Sequence, residues 1–331
     1  MELKLSVIVP VYNSERSLFT LIERLEPVLR QTASDFELIF VNDGSTNSTK
    51  EILTQLTHQY SWVRAINFMR NFGQHSAVLC GIRAAKFPVI ITMDDDLQHP
   101  PEEIPKLIDT LNEGWDVVYG TPEAQQHGIW RDLASELTKI VLSGAMGAST
   151  ARNISAFRIF RTKLRDAFSM YYGPAVSVDA LLTWGTTKFA AIPVRHDPRH
   201  AGVSNYTFGK LLIHAINVVT GFSTIPLRLA TLNGCICLGL GFILLVYVFG
   251  RFLIQGCDVP GFPFLASVVI IFSGAQLFSL GIVGEYLARM YAKSMAKPTY
   301  VIETEEEVGA LQAFEEIPGR LDKSSQLTSV R

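Results

Sequence analysis

The stretch Leu5-Ser6-Val7-Ile8-Val9-Pro10-Val11-Tyr12-Asn13 lies near the start of a chain of 331 residues and decides its fold. Its β-branched residues predict a buried strand over residues 5–11, which ends directly in polar residues. Apolar residues then recur at helical spacing over residues 18–29 and predict a helix with one apolar face. The chain therefore opens as a strand, a polar turn and a helix.

The alternation of strands and helices continues through about the first 190 residues. Further strands are predicted at residues 36–41, 63–68, 89–93 and 116–119, and helices at about 74–85 and 101–111. Ser48-x-x-Glu51 is a capping box that opens another helix. This order predicts an α/β fold with a mainly parallel sheet and flanking helices. The absence of GxGxxG after the first strand and of GxxxxGK[ST] disfavours a Rossmann dinucleotide site and a P-loop.

Composition excludes several classes of protein. Hydrophobic residues make up 48% of the chain and charged residues 18%, against about 25% in an ordinary soluble domain. This is too apolar for a disordered protein, and a net charge of −2 gives no basic field for binding nucleic acid. The four cysteines have neither a disulfide framework nor zinc spacing, and the first residues do not read as a signal peptide.

The excess apolarity is concentrated late in the chain. Residues 229–249 and 265–284 carry no charge, and each run is long enough to cross a bilayer as a helix. We therefore expect two transmembrane helices, at about 229–250 and 264–286, forming an antiparallel hairpin; two buried core helices are the alternative. Basic residues flank the pair, from Arg228 before it to Lys297 after it, which predicts a multi-pass protein of the inner (cytoplasmic) membrane with both ends in the cytoplasm.

The domain boundaries follow from these patterns. We expect residues 1–206 to form a cytoplasmic α/β domain, residues 226–290 the membrane hairpin, and residues 291–331 a cytoplasmic, partly disordered tail. Residues 207–225 carry apolar side chains at helical spacing and predict an amphipathic helix in the membrane interface. An ordinary surface helix packed on the globular domain is the alternative there.

Polar residues follow three of the predicted strands, where ligands bind in parallel sheets. The first strand ends in Tyr12-Asn13, the second in Asn42-Asp43-Gly44-Ser45, and the fourth in Asp94-Asp95-Asp96-Leu97-Gln98. Asp-Gly-Ser by itself is an ordinary turn signal. Three adjacent carboxylates repel one another unless cations or hydrogen-bond donors compensate, although a solvated acidic turn is the alternative.

The acidic run suits a divalent cation. In an extended chain Asp94 and Asp96 point the same way, and Gln98 adds a further oxygen. With water and a diphosphate as the remaining ligands, this set of hard oxygens predicts Mg²⁺ or Mn²⁺ as cofactor.

The ordered combination of motifs resembles a known family. Val7–Asn13, Val41–Ser45, Arg70-Asn71-Phe72-Gly73 and Asp94–Glu102 are similar to the inverting family 2 glycosyltransferases. Within that family the chain resembles the polyprenyl-phosphate glycosyltransferases, which include dolichyl-phosphate mannose synthases, bactoprenol glucosyltransferases and the undecaprenyl-phosphate aminoarabinose transferase. The resemblance extends to about Tyr300 and implies a GT-A-like (nucleotide-diphospho-sugar transferase) fold followed by the membrane hairpin.

The resemblance also implies roles for individual residues. Donor nucleotide-sugar binding falls to Pro10, Tyr12, Asp43, Asp94, Asp95, Asp96, Gln98, Arg199 and Asn205. Asp94 and Asp96 match the DxD motif that holds the metal, with Gln98 beside it, and these two aspartates and Arg199 are the expected catalytic residues. Ser155 and Arg158 match a stretch near the acceptor. Arg131, Arg158 and Arg199 are also candidate clamps for acceptor or donor phosphate, because a guanidinium fork suits phosphate oxygens. For Arg131 and Arg158 the alternative is a surface arginine near the membrane.

Four positions depart from the family pattern. Ser14 stands where glutamate is usual, Pro122 where an arginine often follows Gly-Thr, Asn205 in place of a lysine that meets phosphate, and Ala156 where some relatives have aspartate. The last two bear on the contacts with the donor.

The implied reaction is an inverting, metal-dependent transfer from a nucleotide-sugar to a polyprenyl phosphate, in which a UDP-sugar is favoured and GDP-mannose is possible. The family also implies membrane lipid as a partner and a homo-oligomer, a tetramer by analogy. A processive polysaccharide synthase is an alternative, although the chain lacks Gln-x-x-Arg-Trp and has only two expected spans. A catalytically inactive membrane scaffold and a soluble glycosyltransferase are the others.

Overall fold

The structure, a computed structural model, describes residues 2–122, 153–173, 176–197, 225–255, 261–295 and 297–303. Arg131, Arg199, Asn205 and nearly all of the predicted interfacial helix at 207–225 lie outside these ranges.

Seven strands form one sheet, and they account for the expected α/β fold. The strands are β1 (Lys4–Val11), β2 (Asp35–Asn42), β3 (Val63–Asn67), β4 (Val89–Thr92), β5 (Val117–Pro122), β6 (Arg158–Arg161) and β7 (Phe189–Val194). The first five confirm the predicted strands with small differences at their ends. The last two were not predicted.

Helices alternate with these strands as expected. They are α1 (Leu18–Thr32), α2 (Thr49–Gln59), α3 (Gln74–Ala84), α4 (Ile104–Asn112) and α5 (Val178–Leu182), with 3₁₀ turns at Pro101–Glu103 and Thr162–Phe168. The helix predicted at 101–111 is thus a 3₁₀ turn followed by α4.

The sheet has the order β3-β2-β1-β4-β6-β5-β7. Strand β1 pairs in parallel with β2 and β4, and β2 pairs in parallel with β3. Strand β6 runs antiparallel between β4 and β5, whereas β5 and β7 are parallel. The sheet is therefore mainly parallel, as predicted, with one antiparallel strand that arrives late in the chain.

Alternation along β1 divides the core into two layers. Val7 and Val9 face one side, where they pack with α1 and α4 through residues such as Leu21. Ile8 faces the other side, where it packs with α3. Both faces of the central strand are buried, which explains its continuous apolar sequence.

The predicted capping box is wrong in its contacts. Helix α2 begins after Ser48 as expected, but the Ser48 side chain makes no capping hydrogen bond. Its hydroxyl instead donates to Glu15 Oε2 at 2.6 Å, and the Thr49 amide donates to Asn47 Oδ1 at 3.2 Å. The Ser48 hydroxyl therefore joins two turns instead of capping the helix that follows it.

Two long helices follow the sheet, α6 (Ile225–Gln255) and α7 (Phe262–Ser294). Each contains a segment apolar enough to cross a membrane, at Pro226–Arg251 and Ile271–Ala288, and neither segment is buried inside the protein. Large apolar side chains such as Leu238 and Phe278 are more than half exposed. This exposure disagrees with the alternative of two buried core helices, because so large an exposed apolar surface is unusual on a soluble protein.

Gly81 of α3 tests the packing between this helix and β1. A Cβ at this position would lie closer to Ile8 Cγ2 than two non-bonded atoms can approach. We expect Gly81→Ala to destabilise the protein by about 1–3 kcal/mol, despite the higher helix propensity of alanine, because overpacking outweighs it.

Thermal unfolding of the purified chain measures this effect. Gly239→Ala in α6 is the matched control, since nothing lies within 4 Å of a Cβ there. An unchanged melting temperature for Gly81→Ala would contradict the packing described.

Candidate active site at the carboxyl edge of the sheet

The strand order places the three predicted motifs side by side. Because β1 lies between β2 and β4, the turns that follow these strands meet at one edge of the sheet. Pro10 is buried within β1 and Tyr12, just beyond it, is 44% exposed. This edge of the sheet therefore has a buried proline next to an exposed aromatic side chain.

The turns after β1 and β2 are fastened to each other. The Asn13 amide donates to Ser45 Oγ at 3.0 Å, and the Thr46 amide donates to Asn13 Oδ1 at 2.9 Å. Asn13 has a φ of 57°, a left-handed conformation that asparagine tolerates better than most residues. The Asn-Asp-Gly-Ser segment is thus half of an interlocked pair of turns.

Ser14 has a structural explanation for its departure from the family pattern. Its hydroxyl accepts a hydrogen bond from the Tyr12 amide at 3.2 Å, and its own amide donates to Thr49 Oγ1 at 2.9 Å. Ser14 is buried, whereas the neighbouring Glu15 reaches Ser48. A short hydroxyl side chain closes this turn where a glutamate is usual.

Asp43 is the one buried carboxylate among the four predicted to bind the donor, since Asp94, Asp95 and Asp96 are partly exposed. It is 3% exposed, and its two carboxylate oxygens accept hydrogen bonds from the amides of Phe72 (2.6 Å) and Gly73 (2.9 Å). Burial raises the pKa of the Asp43 carboxyl, and the two amides offset part of that rise. The Arg-Asn-Phe-Gly motif therefore orients Asp43.

The acidic turn follows β4 directly. Asp94, Asp95 and Asp96 are all partly exposed. Gln74 Nε2 donates to Asp94 Oδ1 at 2.6 Å, and the Gln98 amide donates to Asp96 Oδ1 at 3.2 Å. The chain turns at Asp95 and Asp96, so the extended geometry assumed for the acidic run is wrong.

Leu97 shows that this turn is held under strain. It is 1% exposed and has a φ of 59°, a left-handed conformation that costs a bulky residue about 1–2 kcal/mol. Packing of its side chain into the core holds it there. Such strained residues cluster at functional sites, which agrees with the chemistry expected of the adjacent aspartates.

The donor set has the chemistry that Mg²⁺ or Mn²⁺ prefers. Asp94 and Asp96 offer carboxylate oxygens and Gln98 an amide oxygen, all hard ligands from one turn. Among the described residues, no three of His, Cys, Asp and Glu converge as a metal site. A cation held by this turn would therefore have to take its remaining ligands from water and a bound diphosphate.

Arg158 is placed differently from the expectation. It is 3% exposed, which overturns the alternative of a surface arginine near the membrane. Its guanidinium pairs with Asp179, donates from Nε to Thr92 Oγ1 at 3.0 Å and faces the Tyr119 ring. This buried guanidinium is engaged within the protein, so the predicted acceptor-phosphate clamp is corrected to a structural ion pair.

The electrostatics of Arg158 reach the acidic turn. Burial lowers the pKa of Arg158, but the charge of Asp179, with smaller contributions from Tyr119 and Asp94, outweighs it and keeps that pKa raised. Arg158 therefore supplies positive charge beneath Asp94, which offsets part of the repulsion among the carboxylates.

Ser155 lies beside a histidine that the sequence did not single out. Its hydroxyl is 3.5 Å from His99 Nε2 and accepts a hydrogen bond from the Phe157 amide at 3.2 Å. Burial, helped by His196, lowers the pKa of His99 to about 4. His99 directly follows Gln98, and this position in the motif was the signal available for finding it.

A main-chain hydrogen bond ties the acidic turn to the segment that leads toward Arg199. The Asp197 amide donates to the Gln98 carbonyl at 2.8 Å. Arg24 pairs with Glu102 at 2.8 Å and with Asp197 at 3.8 Å, which fastens the same segment to α1. Of the two other departures in the described residues, Pro122 lies at the end of β5 beside Val194, and the Ala156 carbonyl accepts a hydrogen bond from Thr92 Oγ1 at 2.7 Å.

Comparisons with known proteins agree with this geometry. Residues 6–170 match the family described as "Glycosyl transferase family 2". The chain is 36% identical over 304 residues to the undecaprenyl-phosphate 4-deoxy-4-formamido-L-arabinose transferase of Photorhabdus laumondii, covering 91% of this chain and 93% of that protein. Identity to the enzyme of the same name from Klebsiella pneumoniae is 33% over 303 residues, again 91% and 93%.

A solved structure shares the fold. Glucosyl-3-phosphoglycerate synthase from Mycobacterium tuberculosis, solved with Mn²⁺, UDP-glucose and phosphoglyceric acid, aligns with a TM-score of 0.50 and 18% identity. The alignment covers 66% of this chain and 77% of that one. This likeness supports the GT-A-like fold.

The Arg158–Asp179 pair yields a prediction about stability. Arg158→Met leaves Asp179 buried without its partner, and we expect a loss of about 3–5 kcal/mol. The double variant Arg158→Met with Asp179→Asn removes both charges, keeps an amide oxygen that accepts the hydrogen bond of the buried Tyr119 hydroxyl, and should recover most of that loss. Thermal unfolding of the purified variants provides the measurement.

The control is Arg30→Met, which breaks the exposed pair with Glu26 and should cost less than about 1 kcal/mol. A double variant as unstable as Arg158→Met would show that the cost does not come from an unpaired buried charge.

Proposed function

The chain belongs to glycosyl transferase family 2, and on that premise we propose that it transfers a sugar from a nucleotide-sugar to the phosphate of a polyprenyl lipid at the membrane. The observation that carries the proposal is the joining of two features in one chain. One is the sheet edge that gathers Tyr12, Asp43 and the acidic turn. The other is the pair of apolar helices whose surfaces are exposed. A lipid acceptor requires both.

Substrate classes follow from the relatives. The proteins from Photorhabdus laumondii and Klebsiella pneumoniae are named for transfer of 4-deoxy-4-formamido-L-arabinose with undecaprenyl phosphate. We extend the polyprenyl phosphate acceptor to this chain. For the donor we favour a UDP-sugar, with this modified sugar and glucose first and GDP-mannose next. The product is a lipid-linked sugar for modification of cell-envelope glycan or lipopolysaccharide.

The proposed chemistry needs no strong base. A polyprenyl phosphate is already an anion at neutral pH, so its oxygen attacks the anomeric carbon while the bond from that carbon to the diphosphate breaks. The nucleoside diphosphate leaves with the electron pair, and one displacement inverts the anomeric centre. Asp94, Asp96 and Gln98 would hold Mg²⁺ or Mn²⁺, which would supply positive charge to the diphosphate as it leaves.

The remaining donor contacts are assigned by the same reasoning. Pro10, Tyr12 and Asp43 form the proposed nucleotide side of the edge, and the backbone of Asp95 the proposed diphosphate side. Arg199 and Asn205 are proposed to complete the site from a loop that closes over the donor, with Arg131 and Ser155 toward the acceptor. The anchoring of Asp197 to Gln98 supports this placement of the loop, because Arg199 follows two residues later.

Membrane placement is part of the proposal. We place residues 1–206 in a cytoplasmic catalytic domain, the hairpin at 226–290 in the inner membrane and residues 291–331 in the cytoplasm. Arg228 and Lys297, both exposed, support this orientation. Residues 207–225 would hold the active site at the level of the lipid headgroups.

A transfer assay tests the function directly. Membranes that carry the chain are incubated with undecaprenyl phosphate, Mg²⁺ or Mn²⁺ and a panel of labelled UDP- and GDP-sugars, and label is counted in the lipid extract. We expect one donor to label the lipid, EDTA to abolish the signal, and Asp94→Asn or Asp96→Asn to reduce it by about 100-fold or more. Asp109→Asn, an exposed carboxylate of α4, is the matched control.

Two of the alternatives have their own outcomes in this assay. A chain of many sugars in the product would indicate a processive synthase. Lack of label with every donor, equal for the wild type and Asp94→Asn, would indicate an inactive scaffold. Full activity of the Asp94→Asn and Asp96→Asn variants would refute the proposed metal site.

Product stereochemistry is a separate prediction. Since a single displacement inverts the anomeric carbon, an α-linked donor should yield a β-linked polyprenyl-phosphate sugar. NMR coupling constants of the purified lipid product distinguish the two anomers. An α-linked product from an α-linked donor would rule out the single displacement.

A further inference from the structure

The chain returns to the sheet after the second long helix. Residues 297–303, here called the strap, follow α7, and residues 301–303 lie beside residues 67–69 at the end of β3. The Met69 amide donates to the Val301 carbonyl at 3.0 Å, and the Glu303 amide donates to the Asn67 carbonyl at 2.8 Å. Phe68 and Ile302 form an antiparallel bridge between these bonds. The strap therefore covers the end of a strand that would otherwise be an open edge.

Tyr300 anchors the strap with its side chain. Its ring stacks on Phe68, with centroids 5.1 Å apart and planes 5° from parallel. Arg83 of α3 donates to the Tyr300 hydroxyl at 3.3 Å and lies over its ring. Burial raises the pKa of Tyr300 well above its usual value, so the hydroxyl stays protonated at neutral pH.

The aromatic contacts continue from the strap to Asp43. Phe68 meets Phe72 edge to face, with centroids 5.8 Å apart. The amides of Phe72 and its neighbour Gly73 are the donors that hold the two oxygens of Asp43. The three rings of Tyr300, Phe68 and Phe72 therefore connect the strap to Phe72, whose backbone amide binds the carboxylate proposed to contact the nucleotide.

The loop at the end of this column fits tightly against the turn after β2. A Cβ on Gly44 would lie 2.6 Å from the Asn71 nitrogen, and Gly44 has a φ of 66°. Backbone therefore meets backbone at this point. Any shift of the loop at 70–73 changes the donors presented to Asp43.

We propose that the strap is part of the donor nucleotide site and that Tyr300 is a positioning residue, which acts on Asp43 through the rings of Phe68 and Phe72. This inference rests on the proposed function, in which Asp43 contacts the nucleotide. Since the strap directly follows α7, the same contacts join the second membrane helix to the nucleotide side of the sheet. The strap would otherwise serve only to cover the edge of β3.

The test compares tyrosine variants of the full-length chain. Tyr300→Ala removes the ring, Tyr300→Leu keeps bulk without an aromatic face, and Tyr300→Phe keeps the stack while losing the hydroxyl. Tyr60→Ala is the matched control. Tyr60 lies just before the first residue of β3, whereas Tyr300 packs at the other end of that strand, and the Tyr60 ring contacts Trp62 with centroids 5.6 Å apart. This control variant also loses a tyrosine ring, but at the end of β3 that is remote from Asp43.

Four quantities are measured on each variant: the Kd for UDP (or GDP, if wild type binds only GDP), KM and kcat for the donor, and the rate of hydrogen exchange of the amides at 70–74. We expect Tyr300→Ala and Tyr300→Leu to raise the donor KM and nucleotide Kd by about tenfold, with kcat within about threefold. Exchange at Phe72 and Gly73 should rise by a similar factor. Tyr300→Phe should stay within about twofold of wild type, and Tyr60→Ala should lose stability without a change in Kd.

The outcomes separate this inference from the function beneath it. If Tyr300→Leu leaves Kd, KM and exchange at Phe72 and Gly73 unchanged, or changes them no more than Tyr60→Ala does, the strap only covers the edge and the proposal is overturned. If wild type binds no nucleotide and transfers no sugar, the proposed function fails together with the role in donor binding. The exchange data then still show whether Tyr300 holds the loop.

Discussion

Parallel pairing of β1 with β2 on one side and β4 on the other is the constraint on which the site depends. Parallel strands end at the same edge, so three turns that are far apart in the chain must meet there. Hydrogen bonds between Asn13 and the Ser45–Thr46 segment then fasten the first two turns together. The central strand is buried on both faces, and this burial keeps the turns from sliding past one another.

Charge compensation is the second requirement of the edge. Three successive carboxylates after β4 repel one another, and a low-dielectric floor would make that repulsion stronger. Two features reduce this repulsion. Asp94 and Asp96 each accept a hydrogen bond, and the positive charge of Arg158 interacts with Asp94. Arg158 is itself kept ionised by Asp179, so a buried ion pair supports an exposed acidic turn.

The two parts of the chain present different surfaces. The first part buries apolar side chains between a sheet and helices, whereas α6 and α7 present theirs outward, as expected of helices that face lipid. The transfer proposed for this chain requires the two parts to be held in a fixed position relative to each other. The strap connects the two parts, because it leads from the end of α7 to the end of β3 within a few residues.

The sequence by itself determined the elements that local pattern controls. Five strands, their helices and the two apolar spans follow from periodicity, and the three polar strand ends identified the edge that carries the site. Only the tertiary structure decided which side chains meet there. Local spacing could not show that Arg158 is buried against Asp179, that Phe72 and Gly73 hold Asp43, or that Tyr300 returns to β3. Each of these contacts joins residues distant in the chain, and their geometry depends on strand order, which no short-range pattern encodes.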